Sequence, residues 1–231
     1  MPARVQVAPE ILDGWPHYRA VVLIAEGVVN GPSDERSEDL LAGAERSVGE
    51  SGVARAADDP RIAAWRTAFS EFGAKPSRYP SSAESLLARL LKGEALPRIN
   101  ALVDTYNAVS LRHAIPIGGE DLDALEGDLR LVRAAGTEDF DGGEPPRPGE
   151  VVWRDDVGVT CRRWNWRQGR RTQLDDETTT ALFILDALHP MSDHALRDAA
   201  DDLITQLTLL GSDIRVTRRM IAARAASEGG A

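Results

Sequence analysis

The chain alternates between nearly unbroken apolar runs and stretches in which apolar residues recur at helical spacing. Residues 3–8 and 19–29 (RAVVLIAEGVV in the second) read as strands, the second apolar enough to be central. Asp13-Gly14-Trp15-Pro16 between them signals a turn. Ser33 is the expected cap of a polar helix running to about Val48. Asp58-Asp59-Pro60 predicts a helix start, and that helix runs through Trp65, Ala68, Phe69 and Phe72 to Gly73. Residues 76–80, bounded by prolines, are expected to be extended. Ser81 or Ser82 caps the next helix, which Gly93 ends. A further helix follows, then a loop forced by Pro116, Gly118 and Gly119.

The C-terminal half reads mainly as strands: 129–136, a pair within 150–166 turning at Asp155-Asp156 or Val157-Gly158, and TTTALFILDAL. The Gly- and Pro-rich residues 141–149 make an exposed loop within one sheet. Ser192 opens a long amphipathic helix to Leu210, and residues 225–231 are expected to be a disordered tail. Strands and helices do not alternate regularly. The predicted class is therefore α+β, a mixed or antiparallel sheet with flanking helices, in a single domain over residues 1–224.

One segment departs from simple amphipathicity. Asn100, Asp104, Asn107 and Ser110 fall near one stripe of a helix whose other positions include Leu102, Val103, Tyr106, Val109 and Leu111. Such a stripe points into a pocket, into a buried hydrogen-bond network, or to solvent.

Composition narrows the function classes. With 42% hydrophobic and 28% charged residues the chain has the make-up of a folded globular protein. No window approaches about eighteen uncharged apolar residues, so no membrane span is expected. The first residues lack a signal core, and with a single cysteine the expected location is the cytoplasm. A net charge of −10 is unlike a generic nucleic-acid binder. Residues 151–171, however, hold six arginines against Asp155 and Asp156, a net of +4 that leaves −14 on the rest. Such an island either binds phosphate locally or forms cross-strand ion pairs.

The residues exclude several chemistries. His17, His113, His189 and His194 form no zinc-hydrolase pattern, and neither a phosphate loop nor a nucleophile elbow is present. No metal or cofactor is expected. His113, beside the polar stripe, is better read as a helix-end residue than as a proton relay. Cys161 reads as a small buried hydrophobe. Arg162-Arg163-Trp164-Asn165-Trp166-Arg167, taken as a strand, would present Arg163, Asn165 and Arg167 on one face, suited to a carboxylate, a phosphate or a nucleotide edge. Arg162 or Arg163 could equally clamp the carboxylate of an amino acid-like ligand.

Three blocks in order, RYPSSAESLLARLLKG, LPRINALVDTYNAVSL and PIGGEDLDAL, resemble the editing domain (third and fourth B modules) of the phenylalanyl-tRNA synthetase beta subunit, and more closely the freestanding proteins built from it. The resemblance covers roughly residues 65–187. It implies that domain's α+β fold and a tRNA or aminoacyl-tRNA partner. It also implies hydrolysis of a wrongly attached aminoacyl ester by a positioned water. The family's I-N-x-x-V-D-x-x-N helix falls on Ile99, Asn100, Val103, Asp104 and Asn107, its next loop on Pro116 to Asp121, and its site glutamate on Asp186. Gly118 stands where the synthetases carry a site histidine, and the Arg/Trp block around Asn165 replaces a glycine-rich segment. The tyrosine-editing pocket is therefore not retained. The resemblance nominates Asp186 and Asp104 to position water. The substrate-binding candidates are Asn100, Asn107, Ser110, Asp121, Arg162, Arg163, Asn165 and Arg167. The alternative is a non-catalytic or metabolic protein binding an amino acid-like carboxylate.

Overall fold

The structure, a computed structural model, describes residues 4–222. The elements in order are β1 (Val5–Val7), α1 (Pro9–Gly14), β2 (Arg19–Glu26), α2 (Glu35–Glu50), α3 (Pro60–Glu71), α4 (Ser82–Leu91) and α5 (Ala101–His113). There follow β3 (Ile117–Asp121), β4 (Leu129–Arg133), β5 (Val151–Arg154), β6 (Val159–Arg162), β7 (Arg167–Gln168), β8 (Thr180–Ala187), α6 (Asp193–Thr208) and β9 (Arg215–Ala222). They build two sheets, ordered β3-β8-β2-β9 and β1-β4-β5-β6-β7, antiparallel throughout except where β1 pairs with β4. The class is α+β.

The unbroken apolar runs of β2 and β8 follow from burial on both faces. Val21, Leu23, Phe183 and Leu185 point to α5 and α6, while Ala20, Val22, Leu182 and Ile184 point to α3 and the five-stranded sheet. Each fully buried large side chain among them contributes about 1.5–3 kcal/mol relative to exposure. A third apolar cluster, including Leu41, Leu87 and Leu111, joins α2, α4 and α5.

Helix starts largely follow their expected caps. Asp59 accepts from the Arg61 amide at 2.8 Å ahead of Pro60, Ser81 accepts from the Glu84 amide at 3.2 Å, and Ser192 from Ala195 at 3.1 Å. Ser33 is not the cap of α2. Asp34 and Ser37 form a reciprocal capping box at 2.7 and 3.0 Å, and Ser33 Oγ instead donates to Asp104 at 2.6 Å.

Four expectations change. Residues 76–80 are not extended: the Lys75 carbonyl accepts from the amides of Arg78 and Tyr79, both at 2.9 Å, in a turn that tolerates Pro76 at its first central position. Gly118 and Gly119 lie in strand β3 rather than in a loop. The strand expected across residues 162–167 breaks after Arg162, because Arg163 and Trp164 adopt φ of 46° and 65°. Strand β9 and the short helix α1 were not anticipated. Most of β9 is exposed, so it lacks the apolar alternation that marks a strand, and its arginines guard a sheet edge. The expected disordered tail at 225–231 lies outside the described residues.

Candidate functional site

A cavity of about 260 Å³ opens between the two sheets. Alternation along β8 and β3 turns Asp186, Ile184, Gly118 and Glu120 to this side of the four-stranded sheet. The five-stranded sheet faces them with Trp153, Cys161, Arg167 and Gln168, while Ser82, Leu86, Tyr106 and Asn107 close the ends from α4 and α5.

Asp186 lies at one end, 2% exposed. The Tyr18 hydroxyl donates to it at 2.7 Å and Asn165 Nδ2 at 3.3 Å, both neutral donors. Burial pushes its pKa up to about 7, with those hydrogen bonds holding it lower than burial alone would. The carboxyl thus exchanges a proton near neutrality, as a general base requires. Burial and the neighbouring Asp186 push the Tyr18 hydroxyl well above its ordinary value, so it remains a donor.

Asn165 reaches Asp186 because of the turn that interrupts the expected strand. Trp164 drives into an aromatic cluster with ring centroids 4.9 Å from Trp15, 4.9 Å from Tyr18 and 5.2 Å from Trp65. Its amide donates to the Val151 carbonyl at 2.7 Å, and the Asn165 carbonyl accepts from Ser82 at 2.9 Å. Left-handed backbone at two non-glycine residues costs about 1–3 kcal/mol each and persists where the surroundings over-determine it. Burying the indole offsets that cost and aims the next side chain at Asp186. The Trp164 indole N–H and Asn165 Oδ1 are buried without hydrogen-bond partners.

Glu120, absent from the sequence-based nominations, lies at the other end. Gln168 Nε2 donates to it at 2.7 Å, and burial pushes its pKa up to about 7. Reading Gly118-Gly119 as a loop concealed it, since only a strand turns residue 120 to the side of Gly118. Cys161 between the two ends is a neutral thiol, its pKa raised by burial first and then by the charges of Glu120 and Asp186.

Of the nominated residues, Asp186, Asn107, Asn165 and Arg167 line the cavity. The polar stripe largely has another task. Asn100 precedes α5 as its cap, accepting from the Val103 amide at 2.9 Å and donating to the Leu174 carbonyl at 3.1 Å. Asp104 is wholly buried and accepts from the Ile99 amide at 3.0 Å and from Ser33. Ser110 donates to the Ile115 carbonyl at 2.6 Å. Of the four, Asn107 alone reaches the cavity. Asp121 caps a turn through the Asp123 amide at 2.9 Å and accepts from Thr178 at 2.8 Å.

The arginine block divides in the same way. Arg162 grips Glu150 with two bonds of 2.7 and 2.8 Å, both side chains buried. Arg163 shares Glu150 at 3.4 Å and lies 3.7 and 4.5 Å from the ring centroids of Tyr79 and Trp166. Arg171 pairs with Asp155 at 2.8 Å. Arg167 is exposed at the cavity rim over Trp166, so the two-faced strand expected here is replaced by one rim cation and a buried ion-pair network. His113 meets Asp202 at 3.0 Å, far along the helix from the cavity, as a helix-end residue.

Comparison with known proteins gives one sequence family. The model described as "B3/4 domain" matches residues 64–204. No curated protein matches the chain. A crystal structure of an N-terminal fragment of the phenylalanyl-tRNA synthetase beta subunit from Pyrococcus horikoshii aligns with 93% of this chain, at 13% identity and a TM-score of 0.49. The chain spans 50% of that fragment's length. No helix among the described residues is long and apolar enough to cross a membrane.

Proposed function

We propose that this chain, which belongs to the B3/4 domain family, takes the aminoacylated end of a tRNA at the cavity between its sheets and hydrolyses the ester. The sequence resemblance of residues 65–187 to the synthetase editing domain supplies the partner. The observation that carries the chemistry is Asp186, a buried carboxyl with neutral donors on both oxygens and a pKa near 7, facing the cavity between the sheets. Asp186 accepts the proton of the attacking water, Asn165 holds the carboxylate in place, and Arg167 at the rim meets the phosphate backbone. Asp104 has no part in this reading, because it does not line the cavity and instead serves Ile99 and Ser33.

A second reading has one observation in its favour. Three of the six arginines of the basic segment, Arg162, Arg163 and Arg171, are held in ion pairs, the first two buried, which leaves an acidic surface with little local attraction for a polyanion. On that reading the cavity holds a free amino acid-like ligand. Binding of tRNA measured across salt separates the two. The first reading expects measurable affinity at low salt that falls steeply as salt rises, with Arg167→Ala weakening it. Absence of binding at every salt concentration favours the small ligand.

A further inference from the structure

Two carboxyls line the cavity and, among the described residues, no cation lies in its interior. Asp186 and Glu120 stand on the same side of the four-stranded sheet, and their partners Tyr18, Asn165 and Gln168 are all neutral. At the Asp186 end Asn165 Oδ1, Ser82 Oγ and the Trp164 indole N–H are buried without partners among the described residues. The one arginine lining the cavity, Arg167, is exposed at its rim. An apolar ligand would leave two carboxyls desolvated against hydrocarbon, whereas a cation satisfies the carboxylate at Glu120.

The spacing narrows the ligand further. The register sets Glu120 opposite Leu182, four residues along β8 from Asp186, which places the two side chains roughly 13 Å apart along the strands. That separation leaves room for an extended side chain of several methylenes between an ester carbonyl beside Asp186 and a cation on Glu120. Tyr106 and Trp153 line the same cavity, and aromatic rings accept a cation as well as a methylene chain.

We propose that the cavity selects a basic amino acid or its ester, with the side-chain cation at Glu120 and Asp186 left to the attacking water. This rests on the same cavity as the function above and names the class of acyl group it takes. Glu120 holds its proton to about pH 7, so a cation that binds it displaces that proton into the buffer. Of the other titratable groups around the two carboxyls, Tyr18, Tyr106 and Cys161 have pKa values raised by burial and stay neutral, and Arg171 acts on Glu120 only as a fixed charge.

The test is calorimetric titration of the full chain at pH 7 with L-lysinamide and with L-norleucinamide, which differs only in lacking the side-chain amine, in two buffers of different ionisation enthalpy. Lysinamide should bind at least about tenfold tighter, with a heat that differs between buffers, and Glu120→Gln should remove both the preference and the buffer difference. Unchanged circular dichroism of that variant keeps a folding defect from mimicking the result. Equal affinity for the two amides, or a preference that survives in Glu120→Gln, overturns charge selection while leaving the cavity as an amino acid site. Absence of binding by either amide also overturns it. The salt dependence of tRNA binding then reports separately on the function above.

Discussion

Asp186 and Glu120 make the acidity of the medium a direct probe of the site. Each folded carboxyl keeps its proton to about pH 7, whereas in the unfolded chain it loses it near the ordinary carboxylate value. Unfolding therefore releases protons between those limits, and stability falls as pH rises from about 4 to about 7, by on the order of 3 kcal/mol per carboxyl. Asp186→Asn should flatten that slope by roughly half in urea titrations across the window, and an unchanged slope would show that the carboxyl is ionised in the folded protein. The arginines divide by environment rather than by sequence position. Arg162→Ala removes both short bonds to the buried Glu150 and leaves it the longer contact to Arg163, and should cost about 3–5 kcal/mol. Arg167→Ala, at the exposed rim, should change stability by no more than about 0.5 kcal/mol. Identical melting of the two variants would contradict the assignment of Arg162 to the buried pair.

At the level of elements, β3 shows what the residue pattern hid. Two consecutive glycines after a proline read as a turn, yet Gly119 is in a strand because nothing larger fits. A Cβ there would meet Leu174 at 2.7 Å, Tyr106 at 3.2 Å and Phe183 at 3.3 Å. At Gly118, which faces the cavity, a Cβ meets nothing within 4 Å. Gly119→Ala should therefore destabilise by about 1–3 kcal/mol through overpacking, while Gly118→Ala should melt like the wild type. A comparable loss in both would contradict the register of β3 on β8. The 162–167 block misled for a related reason. Alternation assumes extended φ at every position, and the left-handed Arg163 and Trp164 break it, a feature set by burial of one indole that no local pattern reports. Where local chemistry decides, as at Asp59-Pro60, Ser81 and Ser192, the sequence was legible. The doubly buried strands β2 and β8 were legible too, because their apolar runs are continuous.

For the whole molecule, the sequence showed the α+β class and nominated Asp186, Asn107, Asn165 and Arg167, which line one cavity, but it could not show which polar residues share that cavity. The stripe of α5 illustrates the limit. Equal spacing put Asn100, Asp104, Asn107 and Ser110 in one group, yet neighbouring loops take up three of them and leave Asn107 to the cavity. The net charge was equally ambiguous, since arginine count says nothing about which guanidiniums are already paired across the five-stranded sheet.

The central claim is that Asp186 in this cavity is the base of an ester hydrolysis. It is tested most directly by the release of labelled amino acid from a panel of aminoacyl-tRNAs, with wild type and Asp186→Asn compared at equal tRNA occupancy. The account predicts that the wild type releases at least one amino acid faster than buffer alone. It further predicts that Asp186→Asn lowers the rate about 10²–10⁴-fold without loss of tRNA binding. Release at the same rate by the variant, or no release above the uncatalysed rate on any member of the panel, would contradict it.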